Sequence, residues 1–326
     1  MGNCSTTTEN QEQDLDLINY PEEIRHFYVI CIMYNPARSR SRIKLYLNFK
    51  RQMEQFGVKL ITLECTYDNA PFALTRENYE PHNIQVTTNG PFFQKEALIN
   101  LAISKLPLDT KYAVYCDCEV NFENPSWVND TIKALHIFKI VQPFDNTVLL
   151  NIKNEEIKKV KGFSAHLYEK HDMDKETLEE STVSCGFAWA FRVGTLKEIG
   201  GLVDYCPLGN CDKIMAYCLA KRIDDYLPEG LTPNFKDMLR NWQKKATAAF
   251  SAGVGFIPGT IRVSWSTARK DKKNFDKWEI LEKSHFDPKT DLLRENNQLY
   301  GLDPQKIGLR EDLRNHFEYL NGEMLE

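Results

Sequence analysis

Residues 26–35 read His-Phe-Tyr-Val-Ile-Cys-Ile-Met-Tyr-Asn, and the run from Phe27 to Met33 carries no charge. A strand with one wet face alternates apolar and polar residues. An unbroken run closed by a polar turn belongs to a strand buried on both faces, as in a parallel sheet covered by helices. The next segment fixes the connection. Pro36 to Arg42 is a basic turn, and an amphipathic helix is expected to about Phe56, with Leu45, Leu47, Phe49, Met53 and Phe56 as its apolar positions. Gly57 ends it and Val58–Leu63 forms a second strand. A strand–helix–strand unit of this kind makes a right-handed parallel crossover.

The same alternation continues. Phe93 to Leu106 predicts a helix, Tyr112 to Cys116 a third strand, Trp127 to Phe138 a helix and Val141 to Phe144 a short strand. Residues 145–180 are polar and charged and read as a long flexible loop. Gly186 to Phe191 is strand-like, Thr195 to Ile199 a short helix, and Lys213 to Lys221 another helix. Beyond that point turns alternate with short elements, ending in charged helices. The class is α/β, with residues 21–326 as one domain behind a flexible tether over 1–20.

Composition removes some functions. The formal net charge is −5, which argues against a duplex-binding protein with its basic footprint, so no nucleic-acid partner is expected. Nine cysteines without pattern in 326 residues read as reduced thiols in a cytoplasmic compartment. No window approaches the about 18 consecutive apolar residues of a membrane span. The chain does begin Met-Gly-Asn-Cys-Ser-Thr, which fits the N-myristoylation pattern at Gly2, with Cys4 as a neighbouring site for a second acyl chain. Two such signals would give peripheral contact with the cytosolic face of a membrane.

In open α/β sheets, ligands bind beyond the carboxyl ends of the strands. Asp117 and Glu119 lie there, one residue apart, directly after the third strand. Two carboxylates so placed can approach one hard cation, which in turn neutralises a diphosphate. The basic turn offers Arg38, Arg40 and Arg42, suited to bidentate phosphate contact or to a solvated loop. Asp212 precedes a helix, where it can cap the N-terminus or act as a general base.

Taken in order, Tyr34-Asn35-Pro36, Gln94-Lys95-Glu96, the stretch from Asp117 to Trp127, Gly186-Phe187-Ala188-Trp189-Ala190 and Gly209-Asn210-Cys211-Asp212 form a recognisable series. The chain resembles GT-A fold glycosyltransferases of the galactosyltransferase-related, family-2-like kind, over roughly residues 26–292. The resemblance implies a mixed central sheet flanked by helices and transfer of a sugar from a nucleotide-sugar donor, a UDP-sugar first of all, to a hydroxyl of a glycan or protein acceptor. It implies Mn²⁺ or Mg²⁺ at Asp117 and Glu119, with Asp117 also touching the donor, and Asp212 as the general base of an inverting reaction. Tyr34, Asn35 and Arg38 fall at the nucleotide-facing turn, and Lys95 and Glu96 line the site. Trp189 matches an aromatic that packs near the donor or acceptor sugar, although core packing weighs slightly more for it.

Three departures stand out. The family usually has Asp at the position of Glu119 and His ahead of Gly186, where this chain has Ser184-Cys185. Its late imidazole metal ligand has no counterpart in Arg262-Val263-Ser264-Trp265-Ser266. The alternative is a non-catalytic nucleotide- or glycan-binding module that kept the fold.

Overall fold

The computed structural model describes residues 20–35, 38–67, 70–75, 82–90, 92, 94–170, 182–264 and 277–322. The acylation pattern at Gly2 and Cys4 lies outside them. Strands follow in chain order as β1 (Phe27–Tyr34), β2 (Lys59–Tyr67), β3 (Asn83–Thr88), β4 (Tyr112–Cys116), β5 (Val120–Phe122), β6 (Ile140–Gln142), β7 (Asn146–Leu150), β8 (Glu156–Gly162), β9 (Val183–Ser184), β10 (Ala188–Arg192), β11 (Gly255–Phe256), β12 (Thr260–Val263), β13 (Leu292–Arg294) and β14 (Tyr300–Leu302).

The central sheet has the order β11-β6-β10-β4-β1-β2-β3. β1 runs parallel to β2 and to β4, while β10 is antiparallel to β4 and β6. The sheet is therefore mixed, as the resemblance implied. β1 shows why its run is apolar throughout. Tyr28, Ile30 and Tyr34 enter one core cluster and Phe27, Val29, Cys31 and Met33 the other, on opposite faces.

Helices cover both faces. The helix Arg40–Gln55 buries Tyr46, Phe49 and Met53. Asn35 sets its start: its Oδ1 accepts from the Ser39 N–H at 3.0 Å, and its Nδ2 donates to the Ser39 carbonyl at 3.1 Å. Gly57 stops it in the left-handed region at φ 68°, where a Cβ is costly. The helix Lys95–Ser104 buries seven of its ten side chains, Glu96 included. Gln94, just before it, exchanges two hydrogen bonds with the backbone of Tyr300 and so clamps β14 onto the body.

Two sequence expectations need correction. Residues 145–180 are not one loop: they contain β7, β8 and the helix Phe163–Lys170, and β7 and β8 pair within a second sheet of order β5-β12-β7-β8-β9. The strand β8 escapes a hydropathy reading because its side chains from Glu156 to Lys159 are exposed. Beyond Lys221 the chain also holds a 17-residue helix, Pro233–Ala249, whose buried Phe235, Leu239, Trp242 and Ala246 recur at helical spacing. Among the described residues no helix is long and apolar enough to cross a membrane.

Candidate functional site

The carboxyl edge of β1 and β4 gathers charge. Asp117 leaves β4 with its N–H bound to the Phe187 carbonyl at 2.8 Å, and its own carbonyl accepts from Val120 at 3.1 Å. These two bonds close the acidic turn. Asp117 Oδ1 meets Lys95 Nζ at 2.6 Å, and Glu119 Oε1 meets Arg42 Nη1 at 3.0 Å. The second Glu119 oxygen accepts from the Cys118 thiol at 3.6 Å. Lys95 also lies over the Tyr115 ring, 5.3 Å from its centre.

Asp212 stands in the first turn of the helix Cys211–Leu219, entered through Asn210 in the left-handed region. Its Oδ1 accepts from the Lys213 N–H at 2.9 Å. Oδ2 points at Gly186, where a Cβ would lie only 2.6 Å away. Position 186 must therefore be glycine for Asp212 to sit as it does. The next residue, Phe187, has φ 74°. A bulky side chain there is strained, and such strain gathers at functional turns.

The ionisations show how tightly these groups couple. Burial pushes the Glu96 carboxyl up, Lys95 pulls it down and Asp212 pushes it up again, leaving it at about 7. Burial also raises Asp117 above the ordinary carboxylate range, against the pull of Lys95. For Lys95, burial acts to lower the ammonium, but Asp117, Glu96 and Asp212 together raise it. Lys95 is thus the common counter-charge of three carboxyl groups drawn from three separate segments.

The sequence-derived residues divide. Asp117, Glu119, Lys95, Glu96 and Asp212 come together. Asn35 serves as the helix-start clamp described above. Arg38, exposed, lines a cavity of about 220 Å³ with Asn35, Glu64, Tyr67 and Phe72. Tyr34 is not an open nucleotide-facing ring: it is 4% exposed and packs on Phe317 at 5.8 Å. Trp189 is likewise a core residue, fully buried against Phe163, with its indole N–H donating to the Cys185 carbonyl at 2.8 Å. An indole so enclosed presents no face to a sugar. Two contacts had no local signal, although the basic turn had already pointed to Arg42. Arg42 reaches Glu119 across 77 positions. The Glu64 carboxylate accepts from the N–H groups of Ala73, Leu74 and Thr75 and from the Thr75 hydroxyl, fixing the wall of the cavity.

Among the described residues no group of three or more His, Cys, Asp and Glu is placed to hold a metal ion. A closed all-protein cage is therefore not what these residues build. They do fit a hard, water-rich cation that takes one or two carboxylates and shares phosphate oxygens. Four carboxyl groups, Asp117, Glu119, Glu96 and Asp212, are gathered around two side-chain cations, Lys95 and Arg42.

No family model matches the chain, and no curated protein matches it. Among solved structures it is similar to the catalytic domain of Drosophila beta1,4galactosyltransferase 7 in complex with xylobiose, at 12% identity and TM-score 0.39, over 87% of this chain and 98% of that one. A point mutant of the Drosophila enzyme with manganese, UDP-Gal and xylobiose matches at 13% identity and TM-score 0.34, over 61% of each chain. A putative nucleotide-diphospho-sugar transferase from Desulfovibrio desulfuricans matches at 10% identity and TM-score 0.31, over 79% of this chain and 94% of that one. These likenesses are distant, and function is read from the side chains of the site itself.

Proposed function

We propose that this chain is a glycosyltransferase that moves a sugar from a nucleotide-sugar donor, a UDP-sugar, to a hydroxyl of a glycan or protein acceptor with inversion. One observation carries the reading: Asp117, Lys95, Glu96 and Asp212 converge at the carboxyl edge of parallel strands, the edge where open α/β sheets take ligands. Asp212, held against Gly186, serves as the base that takes the acceptor's proton as its oxygen attacks the sugar carbon. Lys95 orients Asp117 toward the donor. A divalent cation at Asp117 and Glu119, when bound, supplies the positive charge that stabilises the departing diphosphate.

The test is hydrolysis and transfer over a panel of nucleotide sugars, with Mn²⁺ and with EDTA. Asp212→Asn is expected to lower turnover by about 10²–10⁴-fold, the usual worth of a positioned base. If the wild type, Asp117→Ala and Asp212→Asn all turn over every donor equally slowly, the enzyme reading fails. The second reading, a binding module without catalysis, draws on the fact that Asp117 and Glu119 are each already paired with a side-chain cation. It expects calorimetric nucleotide binding with no turnover.

A further inference from the structure

The Arg42 guanidinium that pairs with Glu119 is incompletely satisfied for its position. The guanidinium is only one-fifth exposed and the carboxylate less than one-tenth. Arg42 places Nη1 on Glu119, yet its Nε is buried without a hydrogen-bond partner. A guanidinium carries five donors in a rigid fork, and a buried donor left unmade is costly. Arg42 stands in the first turn of the helix Arg40–Gln55, which starts just past the carboxyl end of β1, on the edge shared with Asp117. A fork with an unused donor at a helix start suits the several oxygens of a phosphate better than a single carboxylate oxygen.

We propose that Arg42 is an exchangeable counter-ion: it neutralises Glu119 in the resting protein and moves onto the diphosphate of a nucleotide when a divalent cation shares that carboxylate. The inference rests on the donor site of the glycosyltransferase reading and adds a rule to it. Arg42 competes with the cation for Glu119, so cation alone binds weakly. Nucleotide diphosphate relieves the competition by giving Arg42 another partner. Cation and nucleotide then bind each other's complex more tightly, by the same factor in either order.

The probes are Mn²⁺, followed by the spin resonance of the free ion, and UDP, followed by calorimetry, on the full chain. In the wild type, saturating UDP is expected to tighten Mn²⁺ binding by about tenfold or more. Arg42→Met is expected to bind Mn²⁺ alone about tenfold more tightly than wild type, to bind UDP more weakly, and to lose the UDP-dependent gain. Arg42→Lys covers the case in which the methionine variant does not fold. It keeps a charge beside Glu119 without the fork, so it is expected to retain weak Mn²⁺ binding and lose most of the gain. Mn²⁺ affinity that is unchanged or weaker in Arg42→Met overturns the exchange, as does Mn²⁺ binding by neither protein. Donor turnover measured alongside separates the cases: turnover with unaltered Mn²⁺ affinity sinks this inference alone, whereas no nucleotide binding at all sinks the donor reading with it.

Discussion

Replacing Glu96 by Gln should change how stability depends on pH. Glu96 is 8% exposed in the first turn of the helix Lys95–Ser104. Burial, opposed by Lys95 and reinforced by Asp212, carries its carboxyl from 4.5 to about 7. Between those two values the folded protein binds a proton that the unfolded chain does not. Stability therefore falls as pH rises through this window and levels off above about pH 7. At about 1.4 kcal/mol per pH unit the gap is worth about 3 kcal/mol. Glutamine is neutral at every pH and nearly the same shape, so it removes this dependence and leaves the packing. Urea unfolding of wild type and Glu96→Gln at pH 5, 6, 7 and 8 provides the comparison, with the titrating groups that do not face Glu96 cancelling in the difference. The variant should gain on the wild type by about 2 to 3 kcal/mol from pH 5 to pH 8, since pH 5 already lies above the unfolded value. A constant offset between the two proteins across that range would refute the reasoning.

Three other substitutions probe the site from different sides. Gly186→Ala puts a methyl within 2.6 Å of Asp212 Oδ2, so the carboxylate must shift. A displacement of about 1 Å at a catalytic group can cost about 10²-fold in rate, and kcat should fall on that scale while the urea midpoint barely moves. Glu64→Gln turns a carboxylate oxygen that accepts from Thr75 into a donor facing donors. A loss of about 2–4 kcal/mol is expected in unfolding experiments, and a loss under half a kcal/mol would mean the loop does not depend on this group. Trp189→Ala empties a fully buried position and should cost about 3–5 kcal/mol. Donor affinity lost without any loss of stability would return Trp189 to a sugar-facing role.

The sequence was legible where burial leaves a local trace. β1 is apolar on both faces because both faces are covered, and the acidic turn was found because it follows an equally buried strand, β4. β8 failed the same reading because its lysines face water, and polar β3 has only one fully buried pair, Val86 and Thr88. The helix Pro233–Ala249 did carry a signal in its apolar spacing and in Thr232-Pro233 at its start. In the site, the carboxylates could be named from their place after strands. Their partners could not: the pairing of Arg42 with Glu119 is a tertiary fact with no local trace. For Trp189 the sequence left a sugar-facing role open beside the favoured core packing, and the helix Phe163–Lys170 laid over it decides for the core.

The way the acidic turn is held from behind has a consequence for biogenesis. β5 follows Glu119 directly and pairs with β12, matching Val120 with Val263, and the Ser264 N–H donates to the Glu119 carbonyl at 2.9 Å. The turn thus takes its final support from residues synthesised more than half a chain after Arg42. At about 5–20 residues per second, a ribosome completes β1 and β4 roughly 7 to 30 seconds before β12 exists. The scaffold strands come early and the charged turn is clamped late. Until β12 exists, the acidic turn lacks both its strand partner and the Ser264 bond to Glu119, so its geometry is set only when the last third of the chain has docked.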